Sequence, residues 1–271
     1  SFFKYNDFST NIFILNPSLF LNIKKTGFGN FSLSYSENNT LPEVNQLTSN
    51  FQLTDYRNFS QGIAYNKPLK NQTTTLNYYI YNDEKRFSIN TSVYYVNSKS
   101  IFNTSSNLTS DFNFNSYIQT KGSNSYNFNF SFVNYVRKLK LASKIETNNS
   151  WITSPINVNS TEFLNAKSYS NSIKYSGTTY FKSKINFDFG FSYNYFQSNF
   201  QGIKTNNTTK DAFLNINYKI SNTILAENNN SLYYVNNQSY SFNNIMLSYT
   251  PTESKFSYRL ILNNLINENQ Y

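Results

Sequence analysis

The chain of 271 residues contains no cysteine and no histidine. Without cysteine there is no disulfide framework and no thiolate chemistry, and without histidine the commonest metal ligand and general base are both missing. A carboxylate pair, Asp83 and Glu84, falls in a charged turn where solvation is its simplest role. The sequence therefore predicts a protein that is not an enzyme, with no cofactor, no metal site and no catalytic residues.

Charge and long apolar runs are also scarce. Charged residues make up 14% of the chain, and the net charge of +9 is scattered, which is typical of solvated turns and rims rather than of a nucleic-acid interface. No stretch approaches the roughly 18 uninterrupted apolar residues of a membrane helix. The first residues, "SFFKYNDFST", lack the regions of a signal peptide, so we expect either a removed export signal or an internal piece of a longer protein.

Aromatic residues are abundant, with 24 Tyr and 26 Phe, and they alternate with small polar residues. In "KINFDFGFSYNYF" (Lys184 to Phe196), large apolar groups occupy every second position from Ile185 to Tyr195. A period of two indicates a strand whose two faces differ chemically. Roughly 12 to 14 such segments follow one another from Leu15 to Leu265 without a helical pattern, which predicts an all-β single domain spanning residues 1–271.

The connections between these segments fall into two classes. Short charged turns are expected at Asn82 to Arg86, Val136 to Lys140 and Thr250 to Ser254. Long polar loops are expected at Asn38 to Asn71, Asn97 to Ser110, Ser154 to Thr161 and Gln197 to Thr209. Short turns on one rim and long loops on the other are typical of an antiparallel transmembrane β-barrel. We therefore expect Phe, Ile, Leu and Tyr to face lipid and Asn, Ser and Thr to face the lumen. A soluble β-rich protein and an Asn-rich disordered chain remain as alternatives.

Three patches resemble a known family. "LNPSLFLNIKKTGFGNFSLSYSENNTLPEVNQL" (Leu15 to Leu47), "QGIAYNKPLKNQTTTLNYYI" (Gln61 to Ile80) and "LSYTPTESKFSYRLILNNLINENQY" (Leu247 to Tyr271) are similar, in order and spacing, to segments of the TonB-dependent outer-membrane receptors of Bacteroidota. In the second patch Gly62 and Pro68 match the family's pattern, but its Gly-Asn-Pro triplet is absent.

The resemblance implies the C-terminal part of a 22-stranded barrel, with the plug and the final strand missing from this chain. It further implies residence in the cell outer membrane and uptake of a nutrient such as a glycan, a peptide or a metal chelate. The implied partners are outer-membrane lipid, the TonB complex acting through the plug, and a surface lipoprotein; no nucleic acid is expected. A complete outer-membrane diffusion pore and a soluble surface adhesin are the alternative functions.

Candidate site residues follow from this topology. Aromatic and basic residues of the first long loop could contact a ligand: Tyr56, Arg57, Tyr65 and Lys67. Charged residues at alternate positions within strands are expected to face the lumen: Lys182, Lys184, Asp188, Glu146 and Arg259. Strand counts from the two ends agree only if an even number of strands lies between Asn97 and Ser125, where the alternation shows one clear candidate.

Overall fold

The structure, a computed structural model, describes residues 14–41, 50–63, 68–158, 163–235, 238–252 and 256–264. Within these residues the protein is all-β and is dominated by one large antiparallel sheet, which confirms the predicted fold class at that level. No helix in the described part of the chain is long and apolar enough to cross a membrane. Tyr65 and Lys67 lie outside the described residues.

Twelve strands form the main sheet in the order of the chain. They are β1 (Ser18–Lys25), β2 (Gly29–Thr40), β5 (Leu69–Asn82), β6 (Phe87–Ser98), β9 (Asn124–Val136), β10 (Leu141–Val158), β11 (Leu164–Thr179), β12 (Ile185–Phe200), β13 (Ile203–Lys219), β14 (Ile224–Val235), β15 (Gln238–Tyr249) and β16 (Tyr258–Leu262). Each pairs antiparallel with its neighbours, so the sheet is an up-and-down meander. Among the described residues β1 pairs only with β2 and β16 only with β15, which leaves the sheet open.

The four remaining strands form a small sheet beside the main one. They are β3 (Gln52–Asp55), β4 (Asn58–Gln61), β7 (Ser100–Leu108) and β8 (Asn113–Lys121). Because β7 and β8 leave the main sheet as a hairpin, β6 pairs directly with β9. This hairpin supplies the even number of strands that the sequence left open, and it places the turns 83–86 and 137–140 on the same rim.

We call that rim the lower rim; it also carries the connections 26–28, 180–184 and 220–223 and the end of β15. The opposite rim, the upper rim, carries the turn 201–202, the ends of β2, β6, β10 and β14, and the starts of β5, β9, β11 and β15. The long loop predicted from Gln197 to Thr209 is wrong, since β12 and β13 continue through it and reverse at 201–202. Gln201 and Gly202 have φ of 53° and 81°, the left-handed pair of a tight hairpin turn.

Residues opposite each other in adjacent strands lie on the same face of the sheet. One face, which we call the aromatic face, carries Phe128 of β9 and Phe191 of β12. The other, the polar face, carries Asn129 and Ser192 of the same strands. No hydrophobic side chain is buried among the described residues, so neither face is covered by a second layer of the chain. The described structure therefore has two solvent-accessible faces and no core between layers.

Candidate functional site: the two faces of the main sheet

A continuous row of small polar side chains crosses the polar face. The register places nine residues of β1 to β13 opposite one another in this row: Asn22, Ser32, Asn77, Ser92, Asn129, Asn148, Ser172, Asn194 and Thr209. The Ser172 hydroxyl donates to Asn194 Oδ1 at 2.7 Å, and the Asn194 amide donates to Thr209 Oγ1 at 3.3 Å. Similarly, the Asn129 amide donates to Ser92 Oγ at 3.1 Å. These side chains satisfy one another while remaining accessible, which makes the face a wettable lining.

The neighbouring row of the polar face carries charges of both signs. Glu146 of β10 lies opposite Lys174 of β11, and Ser192 of β12 lies between Lys174 and Asp211 of β13. The Ser192 hydroxyl donates to Asp211 Oδ1, and Lys144 Nζ lies 2.7 Å from Glu146 Oε1. Mixed charges next to hydrogen-bonding groups suit water and polar solutes rather than an apolar ligand.

The aromatic face has the opposite chemistry. Its large side chains remain open, with Phe191 52% exposed and Trp151 45% exposed. In β12 the apolar positions run from Ile185 to Tyr195, about 33 Å along the strand at roughly 3.3 Å per residue. With the tilt of about 35 to 45° that strands have in membrane barrels, this stretch would span roughly 23 to 27 Å, close to the height of their apolar band.

Stacked aromatic rings lie near the upper end of this face. Tyr95 of β6 and Tyr126 of β9 have ring centroids 4.7 Å apart, and the next pair in the same row, Trp151 and Tyr169, lies at 5.2 Å. Such pairs are typical of the amphipathic rings that lie at a membrane interface.

Asparagines, which the alternation did not indicate, interrupt the aromatic face at β14 and β15. Asn228, Asn230 and Asn243 share this face, and the Asn243 amide donates to Asn230 Oδ1 at 2.5 Å and to Asn228 Oδ1 at 3.2 Å. Asn243 is only 8% exposed. The cluster satisfies its own amides, so it forms a closed polar spot rather than a row of free donors.

Charge pairing at the upper end of β2 and β5 was also missed. The Glu37 carboxylate lies 2.6 Å from Lys70 Nζ and accepts from the Gln72 amide at 3.0 Å and the Asn39 amide at 3.2 Å. Lys70 lies in the segment predicted as the loop from Asn38 to Asn71, and Glu37 immediately precedes that segment. When β2 and β5 pair with Glu37 opposite Gln72, Lys70 lies two residues from Gln72 on the same face. A strand pairing tested at this register could have indicated the contact between Glu37 and Lys70.

The five charged residues expected to face the lumen occupy different environments. Glu146 and Asp188 lie on the polar face, where the Asn217 amide donates to Asp188 Oδ2 at 2.7 Å. Arg259 of β16 lies opposite Ser248 on the same face. Lys182 and Lys184 are not in a strand, contrary to the prediction, because β11 ends at Thr179 and β12 begins at Ile185. Both are exposed in a lower-rim connection and do not join the strand charges.

Of the loop residues expected to contact a ligand, Tyr56 and Arg57 form the turn between β3 and β4. Tyr56 is 85% exposed, and the Arg57 guanidinium lies 5.5 Å from its ring centroid. Asp55 fixes this turn by accepting from the Asn58 amide at 2.6 Å and the Arg57 backbone N–H at 3.2 Å. These bonds, that of Asn58 first, lower the pKa of the Asp55 carboxyl below its ordinary value.

Phenylalanines cluster on the small sheet and were not foreseen as a group. Phe59 and Phe114 stack at 5.3 Å, Phe112 lies 5.8 Å from Phe59, and Phe51 lies 6.2 Å from Phe114. The parallel pairing of β4 with β8 brings them together. Since β4 and β8 are far apart in sequence, no local pattern indicates this contact.

No family model matches the chain, and no curated protein is significantly similar to it. In the described residues no group of three or more acidic side chains could hold a metal ion. The candidate functional site is therefore defined by its geometry, as a large sheet with one aromatic and one polar face.

Proposed function

We propose that this chain is the barrel portion of a TonB-dependent outer-membrane receptor that imports a nutrient. The observation that supports it best is the segregation of the two faces in a sheet without a buried apolar core. A soluble β-sandwich buries one face of each sheet against the other. A sheet with exposed aromatic rings on one face and bonded amides and hydroxyls on the other suits a wall between lipid and water.

The open edges favour the receptor over a complete small pore. In hydrocarbon every backbone donor and acceptor needs a partner, so a spanning sheet closes on itself. The twelve strands of the main sheet have free edges at β1 and β16 among the described residues. An open sheet of this kind fits one part of a larger barrel, such as the 22-stranded barrel that the sequence resemblance implies.

In this function the aromatic face contacts lipid and the polar face lines the lumen around a plug. Loops of the upper rim, including the exposed turn at Tyr56 and Arg57, contact the ligand outside the cell. A surface lipoprotein assists capture, and the TonB complex pulls the plug to open the path. The mixed charges around Glu146 and Lys174 keep that path hydrated without selecting strongly for one sign of charge.

The test begins with protein extracted from the outer membrane of its source. We expect it to resist carbonate extraction, to remain β-rich in detergent and to migrate faster on a gel before boiling than after. Its intact mass should lie well above the 31.6 kDa of this chain. A mass close to 31.6 kDa with the same membrane behaviour would replace the receptor by the diffusion pore. A water-soluble monomer would refute both membrane functions and support the surface adhesin.

A further inference from the structure

Charges are sorted between the faces of β10 to β13. The three acidic residues of these strands, Glu146, Asp188 and Asp211, all lie on the polar face. On the aromatic face the same strands carry no Asp or Glu. Their charged residues there are Lys167, Lys204 and Lys210, all in the upper half of the sheet. Among the described residues of β10 to β13, the upper end of the aromatic face is therefore positively charged and carries no acidic side chain.

Two of these lysines lie in one row. Lys167 of β11 and Lys204 of β13 are both opposite Asn199 of β12. Their backbones are about 10 Å apart, since adjacent strands are separated by roughly 4.8 Å. Both side chains are exposed, and neither forms an ion pair among the residues that the structure describes.

The aromatic row lies directly below them. Lys167 is two residues above Tyr169, which pairs with Trp151, so the charged row lies about 7 Å beyond the rings along the strand. An aromatic belt followed by exposed lysines has the order of groups found where a membrane surface meets water. The apolar stems of the lysines can lie along the rings while their ammonium groups reach the headgroup level.

We propose that the upper end of the aromatic face at β11 to β13 binds anionic lipid headgroups, with Lys167 and Lys204 donating to the lipid phosphate. The proposal rests on the membrane function and adds a chemical preference to it. An ammonium group near an anionic membrane surface gains charge-assisted bonds to phosphate, and two ammonium groups on one row can hold one headgroup or two neighbouring ones. Asn199 between them offers an amide donor to the same group.

The test uses the native protein that contains this chain, purified from the outer membrane and reconstituted in bilayers of phosphatidylcholine with or without phosphatidylglycerol, followed by native mass spectrometry of the lipids that remain bound. We expect phosphatidylglycerol to be retained over phosphatidylcholine by on the order of tenfold, from two lysines near an anionic surface. The double variant Lys167→Gln with Lys204→Gln should lose this preference. The matched control is Lys174→Gln with Lys219→Gln, which removes one exposed lysine from each of the same two strands on the polar face.

The outcomes separate the two proposals. If the chain inserts but retains both lipids equally, or if the control loses the preference as fully as the test variant, the lipid site is overturned while the membrane function stands. If inorganic phosphate displaces the bound phosphatidylglycerol, the lysines bind a free anion and the lipid proposal is wrong. If the native protein does not insert into either bilayer, the membrane function itself fails. Added salt should weaken the preference, because exposed charges are screened.

Discussion

Replacing Phe191 by lysine would place a charge at the middle of the aromatic stretch of β12. Phe191 is 52% exposed, and its ring centroid lies 5.8 Å from that of Tyr175 on β11. The ring of Phe189 packs directly on Gly177, in the place where a Cβ on that glycine would lie, so replacing Phe189 would also disturb this contact. In the described part of the chain, the ring of Phe191 makes no such contact with a glycine. Phe191 therefore tests the environment of the face with little disturbance of the packing.

The expected cost separates lipid from water. A lysine at the midplane of the lipid face costs about 2 to 4 kcal/mol, and the lost ring pair adds about 0.5 to 1.5 kcal/mol. The sum is about 3 to 5 kcal/mol. If the aromatic face met water instead, the lysine would carry no insertion cost. The substitution would then lose only the burial of the half-exposed Phe191 side chain and its ring contact with Tyr175, about 1 to 2 kcal/mol.

The assay is equilibrium unfolding by urea of the native protein that contains this chain, folded into phospholipid vesicles. The control is Ser131→Lys on the polar face, where the new ammonium group would lie opposite Glu146 and should change the free energy of unfolding by less than about 0.5 kcal/mol. A cost below about 2 kcal/mol for Phe191→Lys would refute a lipid-facing aromatic face. A larger cost for Ser131→Lys than for Phe191→Lys would mean that the faces are reversed.

Three further predictions concern local contacts. Gly190→Ala should lower the free energy of unfolding by about 1 to 3 kcal/mol, measured by the same urea titration, because its Cβ would lie 2.5 Å from the Tyr175 carbonyl oxygen. Asn243→Leu should cost about 1 to 3 kcal/mol, since its cluster loses two donated bonds at a position only 8% exposed; an unchanged midpoint would contradict this. Asp55→Ala should speed amide exchange at Asn58 without affecting the main sheet. Because folding lowers the pKa of Asp55, this stabilisation is present above the ordinary value of 3.8 and is lost as pH falls through the folded pKa, so wild-type exchange should approach that of the variant in acid.

The period-two alternation was sufficient to predict the strands and most of both faces, because the faces of a strand follow from its side-chain period alone. The segment from Lys184 to Phe196 shows this, since every apolar position predicted from Ile185 to Tyr195 shares one face in β12. The alternation did not predict the strand correctly where polar residues continue it. The stretch from Gln197 to Thr209 is rich in Asn and Thr and was predicted as a loop, although Gly202 carries the signal of a tight turn.

Contacts between distant segments lay beyond sequence reasoning. Pairing of β4 with β8 and departure of the β7–β8 hairpin depend on which strands meet, and no local pattern records that choice. The clustering of Asn228, Asn230 and Asn243 depends on the register of β14 against β15, which the alternation within a single strand does not determine. Lys182 and Lys184 were placed in a strand because the alternation of β12 was extended backward beyond its first residue, Ile185.

The most direct test of the central claim uses Trp151, the single tryptophan of the chain. It is 45% exposed on the aromatic face, near the upper end of the sheet. In vesicles that contain brominated lipids, we predict blue-shifted emission that bromine near the headgroup end of the acyl chains quenches. A Trp151→Phe variant that carries Ser150→Trp on the polar face should instead be quenched by iodide. Emission from Trp151 that stays at its aqueous wavelength and is quenched by iodide but not by brominated lipid would contradict a lipid-facing aromatic face.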